Sequence, residues 1–67
     1  MKKEERINYI ANILSLQGIV RIRELSLKLG VSEMTIRRDL DSLAQANIAD
    51  LIPGGAVLKK NLSSDLG

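Results

Sequence analysis

Between Gly30 and Leu40 the chain runs Gly-Val-Ser-Glu-Met-Thr-Ile-Arg-Arg-Asp-Leu. This run limits the possible folds more than any other. Gly30 interrupts whatever precedes it, and Ser32 is a strong N-cap whose hydroxyl can accept from the amide of Met34 or Thr35. Val31 and Ile36 occupy the two positions of a hydrophobic staple, and Glu33 suits the positive end of a helix dipole. A helix is therefore expected from Glu33 to about Ala46, with Asn47 as a left-handed terminator. Its core face is Ile36, Leu40 and Leu43, with Ala44 at the edge. At about 100° per residue, Met34, Arg38, Asp41 and Gln45 point the other way, flanked by Thr35 and Ser42, while Arg37 lies to the side. One face is built for burial and the other presents cations.

The preceding residues read as scaffold. Ile7, Ile10, Ala11 and Leu14 recur at steps of three and four, giving a helix over residues 3–17 that stops at Gly18. Tyr9, Ile13 and Leu16 form a weaker stripe on roughly the opposite side, to be covered by a tail or the hairpin, left partly exposed, or met by another subunit or a missing domain. Ile19-Val20 suffices for a stub of strand. A second helix follows from Ile22 to Leu29, with Ile22, Leu25 and Leu29 inward and Leu27 to one side. Arg21 is a poor cap for it. Two helices joined by a short turn containing glycine form a helix-turn-helix pattern, whose expected core is Leu25, Leu29, Val31, Ile36, Leu40 and Leu43.

From Ile48 the periodicity changes. Ile48–Ile52 and Ala56–Leu58 flank Pro53-Gly54-Gly55, which fits a type II turn with positive φ at its second centre. The expected fold is thus mostly α with a small β-hairpin, a winged helix-turn-helix of three helices and a two- or three-stranded wing. Residues 1–60 form the domain, and residues 61–67 are a polar tail or the start of a linker.

Composition removes several functions. At 67 residues the chain has room for one domain and no sizeable pocket. It has no cysteine and no histidine. Thiolate metal sites, disulfides, the commonest general base and the physiological pH switch are absent with them. No metal and no cofactor is expected, and no enzyme. Tyr9 is the single aromatic, so stacking on single strands has little to work with. The Pro53-Gly54-Gly55 turn lacks the lysine and helix start of a phosphate-binding loop. The mixed-charge N-terminus has no long apolar run after it, which argues against a signal peptide or membrane span and for the cytoplasm.

With a net charge of only +2, nucleic-acid affinity must come from the placement of charges. The major groove of B-DNA admits one helix, whose N-terminal side chains reach base edges. Met34, Thr35 and Arg38 are placed for that. Arg38 can give a fork to guanine, and Thr35 can donate or lay its methyl on thymine. Arg37 is better placed for a backbone phosphate, unless it pairs with Glu33 or Asp41. The candidate interface to double-stranded DNA is Ser32, Glu33, Met34, Thr35, Arg37, Arg38 and Ser42, with Lys59 and Lys60 beyond the hairpin. Asp39 points toward the core edge and is expected in a structural ion pair or a cap. The competing reading is a winged helix that binds protein with little DNA affinity. Its motives are the acidic, apolar wing and the Tyr9, Ile13 and Leu16 stripe.

The run Val31 to Leu40, with Leu43 and then Gly54-Gly55-Ala56, resembles the N-terminal domain of the DeoR family of bacterial transcriptional repressors. Arg6, Glu24 and Leu25 also fit, and the likeness covers residues 3–58. It implies a winged helix-turn-helix that binds operator DNA, commonly of sugar-catabolic operons. It further implies a larger C-terminal domain that senses a phosphorylated sugar and drives homo-oligomerisation. Such a domain is not in these 67 residues, so the resemblance implies a fragment or truncated member, monomeric in isolation. Leu51 and Pro53 stand where the family's wing carries a basic residue and a histidine, and Asp50 adds a negative charge. A wing weaker in phosphate binding is expected.

Overall fold

The computed structural model of the chain describes residues 1–59. In order they form α1 (Lys3–Gln17), β1 (Ile19–Arg21), α2 (Ile22–Leu29), α3 (Glu33–Gln45), β2 (Ala49–Ile52) and β3 (Gly55–Leu58). This is the winged helix-turn-helix arrangement, mostly helical with a small antiparallel sheet. The wing has three strands in the order β1-β3-β2. Lys60 and residues 61–67, for which a loose tail or the start of a linker is expected, lie outside the described residues.

Local chemistry sets each helix end. At the start of α1 the Glu5 carboxylate accepts from the Lys2 amide at 3.0 Å, which satisfies one of the free donors of a first turn. Gly18, at φ 83°, ends the helix in the left-handed region. The last turn of α3 closes through Asn47, at φ 62°. The Asn47 amide donates to Ala44 and the Ile48 amide to Leu43, at 3.0 and 2.9 Å. These two bonds make a complete Schellman motif and turn the chain back toward the sheet.

The start of α2 departs from this pattern. Arg21 offers no side-chain cap, as expected. The Ile22 amide instead donates to the Gly54 carbonyl at 2.9 Å, so the wing turn caps the helix from a distance of 32 positions in the chain. The turn between α2 and α3 is closed by Ser26. Its carbonyl accepts from the Val31 amide at 3.2 Å, and its hydroxyl donates to the Val31 carbonyl at 2.7 Å.

The core collects Ile10 and Leu14 from α1, Ile22 and Leu25 from α2, and Ile36, Leu40 and Leu43 from α3 over Val20, Ala49 and Ala56 of the sheet. Of the expected helix-turn-helix core, Leu29 and Val31 are half-buried and packed against this cluster. Val31 therefore sits on the rim of the core and not inside it. The second stripe on α1 divides. Ile13 packs on the core, Tyr9 is half-buried, and Leu16 remains 78% exposed.

The hairpin is shorter at one end and longer at the other than the sequence suggests. Ile48 stays outside β2, its amide being engaged by Leu43. Gly55 joins β3 and lies opposite both Ile52 and Arg21. A Cβ at Gly55 would overlap the Val20 carbonyl oxygen and sit 3.2 Å from the Arg21 Cα, so β1 can approach only a glycine here. Gly54, at φ 79°, supplies the positive dihedral a type II turn needs.

Candidate nucleic-acid interface

The N-terminus of α3 is built by its cap. Ser32 has extended backbone, and its hydroxyl oxygen accepts from the Thr35 amide at 3.1 Å. The Ser32 and Thr35 hydroxyls are also 3.0 Å apart, so the two side chains hold each other at the mouth of the helix. The remaining first-turn amides and the dipole favour an anion at this end. Glu33 is exposed beside it, Thr35 is half-buried, and Met34 stands 57% exposed on the outward face.

Arg37 and Arg38 are both exposed. Among the described residues neither forms an ion pair, with Glu33, Asp41 or anything else. The cations on this face are therefore not neutralised by any carboxylate among the described residues. Ser42 is half-buried, and its hydroxyl donates to the Arg38 carbonyl at 3.2 Å. That leaves Ser42 its lone pairs for an outside donor, while its proton stays in the helix.

Asp39, the next residue, behaves in the opposite way. It is 1% exposed and lies against Arg6 of α1. The Arg6 Nε donates to Asp39 Oδ2, and Nη2 donates to Oδ1 at 3.0 Å. The expected structural ion pair is thus a two-pronged fork between the first and third helices. The hydrogen bond to Asp39 raises the Arg6 pKa above its ordinary value. Partial burial works against that rise, and Coulombic attraction adds a smaller upward push. A raised cation gives its stabilisation at every pH below the usual arginine value and loses it only as pH climbs through the folded one. For Arg6 both lie far above neutral pH, so its charge is permanent in practice.

Lys59 is exposed, and its Nζ donates to Asn47 Oδ1 at 3.2 Å. This places it at the C-terminal end of α3, roughly 20 Å along the helix from Ser32 at about 1.5 Å per residue. The fold does not bring it to the first turn, where Met34 and Thr35 lie. Lys60 is outside the described residues.

Two further cations belong beside the wing. Arg21 ends β1, opposite Gly55, and Arg23 lies in the first turn of α2. Both are exposed and form no ion pair among the described residues. Sequence reasoning treats Arg21 only as a poor cap and passes over Arg23. Their place at the start of the first helix of a helix-turn-helix, where such motifs cross a DNA backbone, is the signal that could have marked them. The described residues contain no cluster of three or more metal-ligating side chains. None of their helices is long and apolar enough to cross a membrane.

Comparison with known proteins agrees with this geometry. A family model described as a DeoR-like helix-turn-helix domain matches residues 6–61. The lactose phosphotransferase system repressor of Streptococcus mutans is 41% identical over 56 residues, which is 84% of this chain and 22% of that protein. The repressor of the same name from Staphylococcus aureus is 43% identical over 56 residues, with the same two shares. That of Lactococcus lactis is 38% identical over 58 residues, 87% of this chain and 23% of the relative. The chain thus spans under a quarter of the length of the relatives it matches. No solved structure matches it.

Proposed function

The chain belongs to the family of DeoR-like helix-turn-helix domains, and on that premise we propose that it reads duplex DNA with α3 in the major groove, as the recognition head of a transcriptional repressor. The family is a DNA-binding one and not a class of enzymes. One observation carries the finer reading. Within the run Arg37-Arg38-Asp39, the acid is buried and paired, while both cations are exposed and unpaired among the described residues. A helix shaped only for packing has no need of two adjacent unneutralised arginines beside a capped N-terminus.

In this reading Met34, Thr35 and Arg38 meet base edges, and Ser32 and Arg37 meet phosphates at the helix mouth. Glu33 and Ser42 border the contact. Arg21 and Arg23 supply, beside the wing turn, the positive charge that Ala49–Leu58 lacks. Lys59 and Lys60 add phosphate contacts at the far end. The regulated genes, by likeness to the lactose phosphotransferase system repressors, serve sugar uptake or breakdown in the cytoplasm. A phosphorylated sugar and homo-oligomerisation act through a further domain of a longer protein. A single head binds one half-site weakly, with a steep salt dependence of about −0.9 in the log–log slope per phosphate contact.

The test is a fluorescence anisotropy titration against a duplex enriched by the domain from random oligonucleotides and against a shuffled duplex. Arg38→Ala should lose about 1–3 kcal/mol of discrimination, the worth of one bidentate base contact. A variant that discriminates as well as the parent removes Arg38 from base readout.

A further inference from the structure

We propose that Arg6 is a positioning residue for DNA recognition, setting the roll and axial height of α3 through its fork to Asp39. The proposal rests on the DNA-reading function argued above and goes beyond it, because Arg6 lies on α1 and touches no DNA in that reading. The apolar contacts of α3, through Ile36, Leu40 and Leu43, are non-directional. Such contacts tolerate small rolls and slides of a helix with little change in buried area. The fork does not. Two parallel N–H to oxygen bonds hold the carboxylate plane against the guanidinium plane, and both bonds weaken when either plane tilts.

Asp39 sits in the middle of α3, one residue after Arg38 and two after Arg37. Fixing its side chain fixes the direction of its neighbours, which lie at steps of about 100° around the axis. A roll of about 10° moves a side-chain tip some 6 Å from the axis by roughly 1 Å. That is enough to spoil a fork to a base edge, where hydrogen-bond lengths span only about half an ångström. Phosphate contacts by long, mobile side chains absorb the same shift. Loosening the fork should therefore degrade sequence discrimination more than overall affinity.

This split separates positioning from mere stability. The 67-residue chain would be compared with Asp39→Asn, with Arg6→Lys, and with the double variant Arg6→Met/Asp39→Leu, which fills the site with apolar groups of similar size. Each is melted by circular dichroism and titrated with the enriched and the shuffled duplex at several salt concentrations. Variants that still melt cooperatively should lose about tenfold or more in discrimination, while affinity for the shuffled duplex and the salt slope stay as in the parent. Discrimination within about twofold of the parent in any folded variant overturns the proposal. A parent that binds both duplexes alike instead sinks the DNA reading itself.

One measurement needs no variant. In the parent, the Arg6 Nε–H nitrogen-15 resonance should be protected from exchange in the free domain and remain so on the enriched duplex. Its release on DNA binding would show that the fork does not anchor the bound helix.

Discussion

Helix α3 and the β2–β3 hairpin both follow from short sequence signals, yet they are tied down in different ways. The helix is fixed along one side, by Ile36, Leu40 and Leu43 in the core and Asp39 on Arg6, and leaves Met34, Arg37 and Arg38 to solvent. The hairpin is fixed at its tip. Gly54 gives its carbonyl to α2, and Gly55 lies so close to β1 that no side chain fits between. Charge follows the same division. The helix face carries two cations unpaired among the described residues, whereas Ala49–Leu58 carries one charged residue, Asp50. In this domain the helix is a presenting element and the wing a fastening one. A wing that ends on β1 and caps α2 has little length left over to lie along a DNA backbone.

The sharpest way to break the comparison is Gly55→Ala. The added carbon meets backbone and not a movable side chain, so β1 and β3 must part. A loss of at least about 3 kcal/mol is expected, a large share of the stability of a domain this size. A melting curve and the dispersion of amide resonances would check it. If Gly55→Ala melts with the parent, the wing is not fastened there.

A smaller effect is expected at the presenting end. Ser32→Ala removes the acceptor of the Thr35 amide and should cost about 1 kcal/mol, or roughly 4–8 °C in the melting temperature. DNA affinity should fall with it, since the mouth of the helix loses its order. An unchanged melting curve would mean that the helix needs no cap.

The least disturbing change is Asp50→Lys. Asp50 is exposed on the edge strand and forms no ion pair among the described residues, so stability should change by no more than about 0.5 kcal/mol. If the wing lies near the phosphates, affinity rises and the log–log salt slope steepens by about 0.9. No change in slope would mean that the wing serves only as a fastening.

How much of this could be read from the chain follows from the range of each interaction. The bounds of α3, its Ser32 cap and its Asn47 terminator are decided within four or five residues, and the structure reproduces them. The turn at Pro53-Gly54 is equally local. Three features are not local. Asp39 reads as a residue seeking a partner, but its partner lies 33 positions away at Arg6. The missing cap of α2 is correctly noticed at Arg21, while its replacement comes from Gly54. Gly55 reads as part of a loop, because nothing near it in sequence reveals that β1 will lie against it. The candidate interface divides in the same way. Arg38 can be placed from helix geometry alone, whereas Lys59 and Arg23 acquire a location only when the sheet and α2 are assembled.

The strand order has a consequence for how the domain comes into being. Among the described residues β3 is the last strand in sequence and the middle one in the sheet. β1 and β2 do not pair with each other, so neither has a neighbour until β3 arrives. Arg21 is made first, and its partner Gly55 comes 34 positions later. At about 5–20 residues per second that is a wait of roughly two to seven seconds on the ribosome. A nascent or prematurely ended chain that stops short of β3 lacks the strand that joins β1 to β2, and so cannot form the sheet that carries Val20 and Ala49 into the core. Such a product lacks the Gly54 cap on α2 and leaves core surface open to proteases. The placement of one four-residue strand thus delays closure of the sheet until residues 55–58 have been made.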